Sequence, residues 1–220
     1  MMTHTALLLH KVDGPAQSSR AETEQRASSM DEDLELIQRV AQHDRQAFEL
    51  LYHRYARRLG SYLSRLLRQR ELVEEVVDDV MLVVWQSAAR FDPTARFSTW
   101  LFGIAHHKAL KALGRAANKP LPMPTVPREE ASDQDNPEGV VTHQDLERTL
   151  AQALDTLAPT QRAVVELTFY QDYSYPEIAM ITGCPVNTVK TRMFHARRHL
   201  AAYFASRGLH RSAGAREESV

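Results

Sequence analysis

The chain has 220 residues, 43% of them hydrophobic, with 27 Lys and Arg set against 28 Asp and Glu. That apolar share supplies one large or two small domains with cores of their own, and a net charge of −1 excludes a self-sufficient, strongly basic nucleic-acid-binding domain. Cys184 is the only cysteine, which excludes an internal disulfide and a cysteine-rich metal site and fits a reducing, cytoplasmic setting.

No apolar stretch is long enough to span a membrane, so no membrane insertion is expected. Ala6–Leu9 is short and follows no basic segment, so it makes a poor signal peptide. Residues 1–30 are read as a disordered extension, because Lys11 to Ser29 is polar and without apolar period. Met30 directly precedes the first strong pattern and offers an alternative start. Helical spacing begins at about Leu34, with Ile37, Val40 and Ala41. After a predicted cap at Asp44 it resumes in Phe48, Leu51, Tyr52, Tyr55 and Leu59.

From Glu71 to Ser87 the many valines favour a strand by propensity. The acidic pairs Glu74/Glu75 and Asp78/Asp79 stand four apart, however, which makes a helical stripe. We read a helix with more than one apolar face, one for its own core and one for a partner. Asp92–Pro93 then breaks the chain, and Ser98 or Thr99 is expected to cap a helix running through Lys108 and Lys111 to about Arg115. Residues 118–142 carry Pro120, Pro122, Pro124, Pro127 and Pro137 among Glu129, Glu130, Asp133, Asp135 and Glu138, an extended acidic linker. A second helical domain opens with Leu146, Leu150, Leu154 and Leu157, and Pro159 restarts a helix through Val164, Val165, Leu167 and Phe169. The fold class is all-α: two small helical domains joined by a flexible acidic linker.

The run from Ser174 to Arg192 predicts a helix, a tight turn and a second helix. Ser174 and Glu177 form a capping box, Pro176 sits in the first turn, and Gly183 suits a left-handed turn residue. Ala179 is small where the helices cross. This is helix-turn-helix punctuation. In the second helix Val186, Val189, Met193, Ala196, Leu200, Tyr203 and Phe204 share a buried face. Asn187, Lys190, Thr191, Phe194, His195 and Arg198 lie opposite. Phe194, an aromatic ring among polar groups, suits apolar contact with a thymine methyl in the major groove; a partner-facing ring is the alternative. No acidic residue occurs from Ile178 to Arg216, while Lys190, Arg192, Arg197, Arg198, Arg207, Arg211 and Arg216 are cationic, which suits phosphate contact.

On these residues the chain resembles the extracytoplasmic-function sigma factors, two-domain promoter-specificity subunits of bacterial RNA polymerase. Glu74–Trp85 looks like the family's core-binding segment, Phe97–Ala105 like its promoter-melting segment, and Cys184–Arg197 like its minus-thirty-five reading helix. The resemblance implies a region 2 helical bundle over residues 31–117, the linker over 118–142, a region 4 helix-turn-helix over 143–206, and a disordered tail over 207–220. It places Glu75, Asp78, Asp79, Leu82 and Trp85 on or beside the helix that docks on the β′ clamp helices of core polymerase, with Trp85 equally readable as core. The loop of Asp92, Arg96 and Phe97, with His107, would capture a base flipped from the minus-ten element. Asn187, Thr188, Lys190, Thr191, Phe194, His195 and Arg198 would read or flank the minus-thirty-five element. His195 departs from the arginine common in relatives, so a bidentate guanine contact is lost. The implied partners are core polymerase (β′ clamp helices and β flap), promoter DNA and an anti-sigma factor. The linker, a polyanion, would thread toward the polymerase active-site and RNA-exit channels. No cofactor, metal or catalytic residue is expected.

Other classes are weaker. His43–Asp44 is the dyad of metal-dependent phosphohydrolases, but His106, His107, His143 and Asp155 do not complete a ligand set by spacing. His195 and His199 stand one turn apart with no third ligand nearby. A free-standing regulator explains the helix-turn-helix but neither the acidic valine-rich helix nor the Phe97–Ala105 segment.

Overall fold

The computed structural model describes the backbone of residues 20–67, 69–118 and 143–207, and side chains within 30–67, 69–115 and 148–207. Among the described residues the regular elements are helical. They are α1 (Arg20–Ala41), α2 (Arg45–Leu67), α3 (Arg70–Ser87), a 3-10 turn (Ala88–Arg90), α4 (Phe97–Asn118), α5 (His143–Asp155), α6 (Pro159–Phe169), α7 (Tyr175–Thr182) and α8 (Val186–Ser206). The acidic segment after Asn118, the first 19 residues and the tail beyond Arg207 lie outside the described residues.

Helices α1 to α4 pack into one bundle. Asp44 caps α2 as expected: its Oδ1 accepts the N–H groups of Gln46 and Ala47 at 2.9 and 3.2 Å, and Arg39 holds the other oxygen. In α3, Val73, Val76, Val77, Val80, Met81 and Val84 are buried. Each buried valine gains about 1.5 kcal/mol or more, whereas its helix-propensity penalty is about 0.6 kcal/mol, so burial overrides β-preference. They share one hydrophobic core with Leu51, Leu59 and Leu63 of α2 and Leu101, Phe102 and Ala105 of α4, all fully buried. Asp33, itself buried, receives the Tyr55 hydroxyl and the Arg54 guanidinium and so pins α1 to α2.

Two element starts differ from expectation. Helix α1 begins at Arg20, well before Leu34, and so runs back into the segment read as a disordered extension over residues 1–30. Ala21, Glu22, Glu24, Gln25, Arg26 and Ala27 are good helix formers, and they extend a helix already nucleated by the packed Leu36, Ile37 and Val40. Helix α4 begins at Phe97, with the Arg96 carbonyl accepting the Trp100 N–H at 3.2 Å, so Ser98 and Thr99 lie inside the first turn and do not cap it. Burial of the Phe97 ring against Tyr55, Phe91 and Trp100 draws the start upstream.

The second half builds its core from Leu154, Leu157, Val164, Leu167, Ile178, Ile181, Val189, Met193 and Ala196. Arg162, 3% exposed, organises it. Its guanidinium donates to the carbonyls of Leu154 (2.9 Å), Asp155 (2.7 Å) and Leu157 (3.4 Å), which satisfies the frayed end of α5. It also reaches the Arg65 carbonyl near the end of α2 at 3.1 Å.

The two halves touch along α2·α6 and α4·α7. Arg65 donates to the buried carboxylate of Glu166 at 2.9 Å and stacks 3.5 Å from the Tyr170 ring centroid. Burial pushes the Glu166 carboxyl above its ordinary value, against the pull of Arg65 and Arg162. Tyr173 is buried against Phe102, ring centroids 5.4 Å apart.

Candidate nucleic-acid interface

The helix-turn-helix is built as its residues dictate. Ser174 N–H and hydroxyl both donate to Glu177 Oε2, at 2.8 and 2.6 Å, closing the capping box. Gly183 ends α7 at φ 61°, a left-handed conformation that a Cβ would strain. Val189, Met193 and Ala196 turn α8 inward. The opposite face then stands free in solvent: Asn187, Lys190, Thr191, Phe194, His195 and Arg198 are all exposed, and Thr188 is half-buried at its edge. Phe194 is 62% exposed, its ring touching His195 at 5.5 Å. Phe194 thus stands as one exposed apolar group between the cations Lys190 and Arg198. Arg192, half-buried, lies with Nη1 3.5 Å from the Cys184 sulfur.

The loop before α4 is closed on itself. Asp92 Oδ1 accepts the Thr94 N–H at 2.9 Å and the Thr94 hydroxyl at 2.8 Å, and these two bonds hold its carboxyl below the ordinary range. Ala95 N–H returns to the Asp92 carbonyl at 3.0 Å, so Asp92–Pro93 starts a turn. Phe97, expected at the minus-ten contact, is 4% exposed, and its ring anchors the loop to the core. Half-buried Phe91 and Trp100, 5.3 Å apart, are the rings nearer the surface here. His107 is exposed, with Nδ1 2.7 Å from the Gly103 carbonyl, which fixes the proton on Nδ1. Its neighbour His106 is buried, 2.8 Å from the Tyr62 hydroxyl, and burial, then His107 and Arg192, push its pKa down to about 4. Arg96 pairs with Glu177 across the two halves. Burial raises the Glu177 pKa, but the bonds from Ser174 and then Arg96 outweigh it, and the net shift is downward.

On α3, Glu75, Asp78 and Leu82 project outward together, Leu82 being 50% exposed. Asp79 is half-buried and takes Lys108 Nζ at 2.9 Å, and Glu75 lies 4.0 Å from Arg115, so these carboxylates also tie α3 to α4. Trp85 divides its surface: its ring packs on Phe48 and His43, at 5.3 and 5.7 Å, and remains half-exposed.

Among the described residues the alternative metal readings find no geometry, and the His143 side chain lies outside them. Asp44 is committed to its cap and to Arg39, and His199 Nε2 lies 2.9 Å from the Thr156 hydroxyl. Among the described residues no group of three His, Cys, Asp or Glu side chains is placed to hold a metal, and no helix is long and apolar enough to cross a membrane.

Comparison with known proteins matches this geometry. Family models described as Sigma-70 region 2 and Sigma-70, region 4 match residues 51–119 and 147–200. The chain is 30% identical over 174 residues to the ECF RNA polymerase sigma-E factor of Haemophilus influenzae, covering 75% of this chain and 91% of that protein. It is 27% identical over 178 residues to the RNA polymerase sigma-H factor of Pseudomonas aeruginosa, covering 77% and 92%. Among solved structures, that of CnrH in complex with the cytosolic domain of CnrY matches with a TM-score of 0.60 at 26% identity, covering 80% of this chain and 98% of that one. The sigma factor RpoE in complex with the anti-sigma factor NepR from Bartonella quintana shares the fold, with a TM-score of 0.54 at 19% identity, covering 72% and 96%. The chain belongs to the extracytoplasmic-function sigma factors of the sigma-70 family.

Proposed function

We propose that this protein directs core RNA polymerase to a set of promoters and is itself non-enzymatic, the polymerase carrying the catalysis. The observation that carries the reading is the free face of α8, where Phe194 stands exposed among Asn187, Lys190, Thr191, His195 and Arg198 with no core to enter. In this reading residues 143–206 recognise the minus-thirty-five element, and residues 31–117 bind core and engage the minus-ten element through Asp92, Arg96 and His107. The 118–142 segment joins them. Leu82 and Trp85, with Glu75, Asp78 and Asp79, form the surface for the β′ clamp helices, and region 4 meets the β flap. Near-neutral net charge suits a protein whose DNA affinity is shared with a partner, because two tethered contacts raise local concentration without strengthening either. CnrH and RpoE are each seen with a protein partner, the latter a named anti-sigma factor, which supports control of this chain by an anti-sigma factor.

The test is run-off transcription from genomic fragments with purified core polymerase, with and without this protein. Protein-dependent start sites that share two spaced elements are the expected result. Tight binding of duplex DNA by the protein alone, without new transcripts, would instead mark a free-standing regulator.

A further inference from the structure

We infer that His43 is a positioning residue for the polymerase-docking surface: it holds the Trp85 indole in one orientation, at a cost to its own backbone. This rests on the docking reading of α3 given above.

The turn between α1 and α2 is made by the main chain. The N–H groups of Gln42 and His43 reach the carbonyls of Arg39 and Val40, each at 2.9 Å. The Asp44 N–H returns to the Arg39 carbonyl at 3.1 Å, and the Asp44 side chain caps α2. This closure puts His43 at φ 64°. It is the left-handed position after a helix that Gly commonly fills, because a Cβ there crowds the carbonyl that follows. Nothing in the turn calls for an imidazole. A ring kept where a smaller residue would fold more easily points to a task outside the turn.

That task is visible on α3. The exposed His43 ring lies 5.7 Å from the Trp85 ring, tilted at 56°. Phe48, in the first turn of α2, meets the same indole at 5.3 Å and 72°. Two rings from one corner of the bundle thus brace a half-exposed indole in the last turn of α3. Trp85 continues the outward stripe of Glu75, Asp78 and Leu82 at helical spacing. An unbraced indole on such a surface changes rotamer freely and must give up that freedom on docking. A braced one meets the partner with its orientation already set.

His43→Gly and His43→Asn test this, since both residues suit a left-handed position and neither carries the ring. Full-length variants are compared in unfolding midpoint and in affinity for purified core polymerase. Indole motion is read as fluorescence anisotropy in a Trp100→Phe background, which leaves Trp85 the remaining tryptophan. A midpoint at or above that of wild type, a more mobile indole, and core affinity lower by about three- to ten-fold are expected. His43→Phe restores a ring against Trp85 and should recover most of the affinity at a midpoint no higher than that of wild type. Unchanged affinity in the Gly and Asn variants, or an unchanged indole, overturns the inference. A midpoint that falls along with affinity makes His43 part of the fold alone, and a loss confined to Gly assigns the effect to backbone freedom; each overturns it too. Leu82→Ala, at an exposed site, tests the docking reading separately. Full core affinity there removes that reading, and the inference with it, whatever the indole does.

Discussion

Replacing Arg162 with Met should cost about 3 kcal/mol of folding stability. Methionine fills most of the space of the arginine stem, so little cavity is created and the loss falls on the donors. The bond to Leu154 is buried and comes from a charged group, which puts it at about 2 kcal/mol. Those to Asp155 and to Arg65 are partly solvated and count for about 1 kcal/mol each, and the 3.4 Å contact with Leu157 counts for nothing. Relief from burying a guanidinium returns about 1 kcal/mol. Against the roughly 5–15 kcal/mol that holds a domain folded, this is a large share. Urea unfolding of wild type, Arg162→Met and Arg162→Lys, followed by circular dichroism, measures it. Lysine restores the charge without the planar fork and should recover less than half. A methionine variant within about 1 kcal/mol of wild type, or full recovery by lysine, would refute the account of Arg162 as a multidentate clasp.

Phe194→Ala should weaken binding of the polymerase holoenzyme to a minus-thirty-five duplex by about 1–2 kcal/mol with no change in unfolding midpoint, because the ring is exposed. A loss of stability instead would assign the ring to the fold. Lys190→Ala and Arg198→Ala should each lower the slope of log affinity against log salt by about 0.9, to a similar degree on every promoter, as measured by titration from low to moderate salt. A slope that does not move removes that side chain from the phosphate contacts. His106 gives the chain an acid limit. Its folded pKa of about 4 lies below the ordinary 6.5, so the unfolded chain takes up a proton that the folded one refuses. The stability present above pH 6.5 is lost as pH falls from about 6.5 to about 4, by roughly 3 kcal/mol in total. Denaturation midpoints of His106→Gln should be flatter across that window, and an identical pH slope would show that another group carries it.

Local chemistry was legible in the residues themselves. The Asp44 cap, the Ser174–Glu177 box, the Gly183 turn and the acidic stripe on α3 each depend on neighbours within a turn or two, and each stands where the pattern puts it. The outward face of α8 followed from period alone, and Phe194 was conspicuous because it broke that period. What pattern missed was set at long range. Glu166 and Arg162 sit within a mostly apolar run, and nothing nearby signals that they are nearly fully buried and joined to α2. Phe97 was read as a minus-ten contact, and its packing on Tyr55, far away in sequence, left no local signal. Glu177 was fully explained by its cap, which hid its second partner, Arg96.

The two tryptophans of the chain stand on different proposed working faces: Trp85 with Phe48 and His43 on α3, and Trp100 with Phe91 above the loop before α4. Both are half-exposed, so the emission of each is sensitive to what covers it. A Trp85→Phe chain glows only from the strand-capturing side, and a Trp100→Phe chain only from the polymerase side. Docking and strand capture thus become two separate optical signals in an unlabelled protein, and their order in time becomes a stopped-flow measurement.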